Sequence, residues 1–292
     1  MSILHASLFL AVLAACGCTA SGLSAGGARV ARGSRIAVIA HRGASADAPE
    51  NTLAAFRRAR DAGADYFELD CRLTADREII VIHDDKVDRT TNGRGEVERM
   101  TLAALRALDA GAWKDARGEK LPTLDEALSV AGGSTGVYIE IKASESDAAA
   151  RAAAVELAEK VVASVRARRT GRQVIERQVV VQSFSPACCA VAKRLAPDLR
   201  VELLSGAKVD EEAKWEEACR SVEAHGLDGL NLSAEGFTPE RLAAVHAAGR
   251  TMAVWTVDDP AEMRAFARRG VDGIITNRPE VCLEVLREIG AR

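Results

Sequence analysis

From residue 35 to the C-terminus, short apolar runs alternate with helical segments, and that alternation restricts the fold more than any other property of the chain. Runs at 36–40, 66–70, 137–142, 178–183, 201–204, 229–232, 252–256 and 273–276 read as strands, rich in Val, Ile and Leu and bounded by turn residues. Between them, 51–62, 148–168, 187–195, 211–224, 239–248 and 260–269 read as helices, several opened by Pro or Asp and closed by Gly. Strands separated by helices pair in parallel, so the pattern predicts an α/β fold, a (β/α)8 TIM barrel. Such barrels take roughly 250 residues, and 292 residues with 48% hydrophobic content supply both the length and the core.

One stretch, 68–84, adds a ninth strand and most of the acids. Strand side chains alternate between faces, so Glu68 and Asp70 share one face while Phe67, Leu69 and Cys71 share the other, toward the helices. The run 79–83 returns after the turn at Asp76 and Arg77 and predicts an antiparallel hairpin, with Asp70 opposite His83. The segment 85–121 then departs from the alternation, with a helical stretch near 101–108, and reads as an insertion over the catalytic face. Barrel active sites lie at the C-terminal ends of the strands. Those ends carry His41, Arg42 and Gly43 on the first, Glu68 and Asp70 on the second, Glu140 and Lys142 on the third and Trp255 on the seventh. Acids gathered at one rim either rise in pKa or share a cation, and oxygen donors favour Ca²⁺ or Mg²⁺ over zinc. Arg42 and Lys142 beside them suit a phosphate group, and His41 and His83 supply two proton carriers.

Composition excludes other classes. A net charge of −3 shows no basic excess, which argues against nucleic-acid binding. None of the seven cysteines has metal-ligand spacing. Residues 1–15 contain an apolar run too short to span a bilayer, followed by Leu13-Ala14-Ala15-Cys16. That tetrapeptide resembles a bacterial lipoprotein processing box. The resemblance implies a signal peptide over 1–15, lipidation of Cys16, export and a membrane-surface anchor, with 16–34 as a Gly-, Ala- and Ser-rich tether. No Lys or Arg precedes the apolar run, a departure that leaves secretory cleavage after Ala20, or an uncleaved helix, as alternatives.

His41-Arg42-Gly43-Ala44, Pro49-Glu50-Asn51-Thr52-Leu53-Ala54-Ala55-Phe56, Glu68-Leu69-Asp70, His83-Asp84, Asp88-Arg89-Thr90-Thr91-Asn92-Gly93, Pro122-Thr123-Leu124, Glu140-Ile141-Lys142, Gln182-Ser183-Phe184 and Val254-Trp255-Thr256-Val257 resemble, in this order, the bacterial glycerophosphodiester phosphodiesterases. The resemblance implies hydrolysis of a glycerophosphodiester to glycerol 3-phosphate and an alcohol. It assigns Glu68, Asp70 and Glu140 to a divalent cation, His41 and His83 to an acid/base pair, and Arg42 and Lys142 to the phosphate. A phosphodiesterase acting on lysophospholipids or cyclic phosphodiesters, and a non-catalytic phosphate-binding lipoprotein, are the competing readings.

Overall fold

A computed structural model of the chain describes residues 35–144, 146–168 and 178–292. The expected leader and tether, 1–15 and 16–34, lie outside the described residues. In chain order the elements are β1 (Ala37–Ala40), α1 (Leu53–Ala62), β2 (Tyr66–Leu73), β3 (Ile79–Val81), α2 (Leu102–Ala107), α3 (Leu124–Leu128), β4 (Gly136–Ile141), α4 (Ala148–Ala167), β5 (Val179–Ser183), α5 (Pro186–Leu195), β6 (Arg200–Ser205), α6 (Glu212–Ala224), β7 (Gly229–Ser233), α7 (Pro239–Ala247), β8 (Ala253–Trp255), α8 (Pro260–Arg269), β9 (Gly273–Thr276) and α9 (Pro279–Glu288). The sheet runs β1-β9-β8-β7-β6-β5-β4-β2 with β1 pairing β2, which closes the (β/α)8 barrel; β3 hangs antiparallel on β2.

Local chemistry sets the boundaries. Helix α1 starts one residue after Thr52, whose hydroxyl accepts from Ala55 N–H, and stops at Gly63, whose φ of 88° few other residues tolerate. Helices α5, α7 and α8 each combine a Ser, Thr or Asp cap with Pro in the first turn, where a missing N–H costs nothing. The outward faces of the strands meet the helices in one continuous core, in which Phe56 of α1 stacks on Phe67 of β2 at 4.7 Å. Phe67, Leu69 and Cys71 all lie in that core, so alternation points Glu68 and Asp70 to the barrel interior.

The hairpin register differs from expectation. Cys71 pairs with Val81 and Leu73 with Ile79, so Asp70 is opposite Ile82, and His83 lies two residues beyond β3. The loop has three residues, Ala75, Asp76 and Arg77, because Arg77 adopts φ 62° and Thr74 pairs with Glu78 through Thr74 N–H and Glu78 O at 3.0 Å. One extra loop residue shifts the register by one. His83 is held instead by its backbone, whose carbonyl accepts from Arg72 Nε at 2.8 Å. Ile80 and Ile82 then face the inserted segment and build a second small core with Val87, Val97, Leu105, Ala110 and Leu121.

Candidate active site

The turn after β1 is shaped by two left-handed residues, Arg42 at φ 55° and Gly43 at φ 82°. A Cβ on Gly43 would lie 2.6 Å from the Ala55 carbonyl carbon, so only glycine lets the turn close onto α1. The closure aims the Arg42 N–H at Glu68 Oε2, 2.8 Å away. His41, just before it, is hydrogen-bonded through Nδ1 to Asn277 Oδ1 at 2.8 Å. Asn277 donates its own amide to Asp258 Oδ2 at 2.6 Å, which turns its oxygen toward His41. The imidazole therefore carries its proton on Nδ1 and leaves Nε2 as a proton acceptor.

Glu68 and Asp70 project from β2, and Glu140 from β4, where it is in register with Asp70. All three are buried, and one oxygen of each lies within 4.8 Å of the others. Lys142 Nζ donates to Glu140 Oε1 at 2.7 Å and lies 3.4 Å from Asp70 Oδ1. Asn51, at φ 56° just ahead of α1, donates to Asp70 Oδ2 at 2.7 Å. Even so, Glu68 Oε1 and Asp70 Oδ1 are buried with no hydrogen-bond partner among the described residues. Orphaned buried oxygens are costly unless something outside the chain satisfies them. Three carboxylates offering oxygen alone suit a hard divalent ion, so this donor set could hold Ca²⁺ or Mg²⁺.

Electrostatics agree with the geometry. Burial pushes Glu68 well above the usual carboxylate range, and the charges of Asp70 and Glu140 push it further. Burial and Asp70 raise Glu140 to about 7 against the pull of Lys142. Burial would raise Asp70 too, but Lys142, Arg42, His83 and the Asn51 hydrogen bond outweigh it and hold Asp70 at about 2. Burial lowers His41 to about 4, helped by Arg42, and so keeps it neutral near pH 7. His83 is lowered as well, by burial first and then by Lys142 and Arg42 against Asp70 and Asp84.

His83 Nδ1 lies 2.7 Å from Asp84 Oδ1. Asp84 is bound by Arg89, and this pairing holds its carboxyl far below the usual range. An ionised Asp84 accepts, so His83 also keeps its proton on Nδ1 and presents Nε2. His41, Arg42, Asp70, His83 and Lys142 act on one another electrostatically, while Trp255 belongs to another arc of the mouth. Its indole N–H goes to Asn231 O at 3.1 Å, and its ring meets Phe184, 47% exposed at the end of β5, edge-on at 5.5 Å. His246 is a surface residue beside Asp272, at 2.8 Å.

Several supporting residues escape a reading of strand ends. Asn51 reads as the first residue of a helix, although the Thr that follows is the better cap. Asn277 sits one residue past β9, and Asp258 three past β8, so the strand-end rule that selects His41 extends to Asn277 and, with a slightly longer reach, to Asp258. Glu50 and Arg89 have no such signal, because the link between them joins two loops 39 residues apart.

A closed parallel barrel that gathers three carboxylates, two imidazoles and two cationic side chains at its C-terminal rim defines a hydrolase of phosphoric esters. Residues 41–281 match the profile of the glycerophosphoryl diester phosphodiesterase family, and the chain belongs to that family. Its activity is that of a phosphodiesterase. The glycerophosphodiester phosphodiesterase of Caldanaerobacter subterraneus subsp. tengcongensis is 37% identical over 256 residues, 87% of this chain and 98% of that protein. The crystal structure of an Agrobacterium tumefaciens glycerophosphodiester phosphodiesterase superposes with a TM-score of 0.69 at 33% identity, covering 85% of this chain and 99% of the other. An Oleispira antarctica phosphodiesterase in complex with the product sn-glycerol-3-phosphate superposes with a TM-score of 0.76 at 27% identity, covering 87% and 97%.

Proposed function

We propose that the chain hydrolyses glycerophosphodiesters to glycerol 3-phosphate and an alcohol, with Ca²⁺ or Mg²⁺ held by Glu68, Asp70 and Glu140 and with His41 and His83 as acid/base pair. The observation that carries this reading is the set of buried carboxylate oxygens that, among the described residues, accept no hydrogen bond, beside two imidazoles. When bound, the cation supplies positive charge against the developing charge of the phosphoryl oxygens. Arg42 and Lys142 face the same anionic group from the chain's own side. His41, neutral through burial, accepts at Nε2 the proton of the attacking hydroxyl, that of water or the substrate's own; on the second route a cyclic phosphate forms, and water opens it with the two histidines exchanging roles. His83 enters the step as imidazolium, with Nδ1–H held by Asp84, and gives its Nε2 proton to the leaving alcohol oxygen.

A lysophospholipid as the diester is the second reading, favoured by the aromatic pair Phe184 and Trp255 at the mouth, against which the acyl chain carried by the glycerol would lie. A coupled assay of glycerophosphocholine and lysophosphatidylcholine side by side, with and without chelator, separates the two. Glycerophosphocholine should turn over faster and chelation should abolish it. Full turnover under chelation would remove the cation, and faster turnover of lysophosphatidylcholine would favour the second reading. His41→Ala and His83→Ala should each lower turnover by roughly 10²- to 10⁴-fold. A substrate with an activated leaving group should rescue His83→Ala and not His41→Ala. Export and lipid attachment at Cys16 complete the reading: labelled palmitate should tag the full chain and not Cys16→Ser, and a soluble unlabelled chain beginning near Ser21 would replace lipidation by ordinary secretion.

A further inference from the structure

We propose that Arg89 is a positioning residue that sets His83 and Arg42 together, and thereby makes the inserted segment a working part of the active site. Arg89 lies six residues beyond His83, within the segment at 85–121. Its guanidinium donates through Nη1 to Glu50 Oε2 at 2.7 Å and through Nη2 to Glu50 Oε1 at 2.8 Å. The same group donates through Nε to Asp84 Oδ2 at 2.7 Å and through Nη2 to Asp84 Oδ1 at 3.0 Å. Each of these carboxylates is shared with a residue of the proposed reaction. Asp84 Oδ1 takes the His83 Nδ1 proton at 2.7 Å, and Glu50 Oε1 takes Arg42 Nη1 at 2.8 Å.

In the order Arg42, Glu50, Arg89, Asp84, His83 the first four alternate in charge and His83 donates to the fourth, with Arg89 at the centre. Without that guanidinium, Glu50 and Asp84 would be two like charges facing one another. Asp84 would be free to turn from His83, and Glu50 free to turn from Arg42. A lysine offers one point charge and no planar fork, so it cannot hold both carboxylates in this geometry. Arg89 is partly exposed, and a lone surface pair would be worth little there. A guanidinium bidentate to two carboxylates at once escapes that discount, because the geometry is fixed at both ends.

The inference rests on the reading of His83 and Arg42 given above, so its test is a double-variant cycle on the cation-supplied full chain with glycerophosphocholine. Arg89→Ala should lower kcat by about 10- to 100-fold through misplacement of His83 and should raise KM through Arg42. Arg89→Lys should recover little, and added guanidinium ion should restore part of the rate to Arg89→Ala. In a His83→Ala background, Arg89→Ala should cost no further kcat and should still raise KM. Asp84→Asn should reproduce the kcat loss alone and Glu50→Gln the KM rise alone, which keeps the test open if Arg89→Ala folds poorly. A folded Arg89→Ala chain with unchanged kcat and KM, equal kcat losses in both backgrounds, or a reversed split between the Asp84 and Glu50 variants would overturn the inference. Near wild-type turnover of His83→Ala with Arg89 intact would instead overturn the reading of His83 itself, and this inference with it.

Discussion

Two groups of carboxylates are buried inside the same barrel, and they are treated in opposite ways. Glu202, fully buried on β6, accepts from Arg200 Nε at 2.6 Å, from Asn231 Nδ2 at 2.8 Å and from Thr251 Oγ1 at 3.3 Å. Gly229 leaves room for this cluster, since a Cβ there would lie 2.6 Å from Thr251 Oγ1 and 3.0 Å from Glu202 Oε1. Glu68 and Asp70, buried just as deeply, each leave an oxygen without a hydrogen bond among the described residues. A buried charge that the chain satisfies itself belongs to the fold. A buried charge left open marks a place where something from outside is to be bound.

Substitution should separate the two groups cleanly. Glu68→Gln keeps shape and keeps an acceptor for the Arg42 N–H, but it removes one of three like charges and weakens any cation site. Turnover should fall about 10²- to 10³-fold, the range seen when one preorganised electrostatic group is lost. Stability without added cation should hold or rise, because burial and the neighbouring acids already drive Glu68 toward its neutral form. Urea titration beside a rate assay checks both. A Glu68→Gln chain that is active and several kcal/mol less stable would erase the distinction. Arg200→Ala should do the reverse. It strands Glu202 without its countercharge, for which about 3 kcal/mol is expected, the low end of the buried-pair range since Arg200 is partly exposed. Turnover of the folded molecules should stay near wild type.

The open group should also show a pH signature that the closed one lacks. Without cation, Glu140 is raised from 4.5 to about 7 and Glu68 is raised too, so the fold keeps protons that the unfolded chain releases. The unfolded state then binds fewer protons between pH 4.5 and about 7, and stability falls as pH rises through that window. Asp70 has the opposite sign: its folded value of about 2 lies below the ordinary 3.8, so its contribution is present above 3.8 and lost as pH falls through about 2. Ca²⁺ or Mg²⁺ at about 100 times Kd should add about 2.7 kcal/mol. That gain should be larger at alkaline than at mildly acid pH, because protons compete for the same oxygens. Thermal melts across pH with and without cation test this, and a shift equally large at acid pH would place the cation elsewhere.

How much of this was legible beforehand follows from the range of each interaction. The barrel is readable because eight apolar runs and their helical spacers are local patterns; most boundaries differ by a residue or two, as at β8 (Ala253–Trp255), and β2 runs three residues past the expected 66–70. Glu68 with Asp70, and Glu140 with Lys142, were readable because residues two apart on a strand share a face. The hairpin register was not, because it depends on a non-glycine residue, Arg77, accepting φ 62°. A rule confined to strand ends does not reach Glu202, although Arg200, two residues earlier on the same face, signals an internal pair. The links from Glu50 to Arg89 and from His41 through Asn277 to Asp258 join segments far apart in sequence, and only the folded chain brings them together.

The smallest effect tests whether the two groups are independent. Thr251 Oγ1 accepts from Arg200 Nη2 at 2.7 Å and lies in hydrogen-bond range of Glu202 Oε1 at 3.3 Å. Thr251→Val preserves shape and removes both contacts, so the chain should lose about 1 kcal/mol. Since β6 carries Glu202 well away from the carboxylates of β2 and β4, turnover should not change. A path does exist: Asn231 Nδ2 touches both Glu202 Oε2 and Gln182 Oε1, and Gln182 of β5 is in register with Glu140. Disturbance at Thr251 could travel along it only if Asn231 had a second arrangement to adopt. Asn231 Oδ1, however, also accepts from Ala253 N–H at 3.2 Å, which pins the amide from the far side. A Thr251→Val chain whose turnover falls along with its stability would mean that the pin gives way and that the closed group supports the open one.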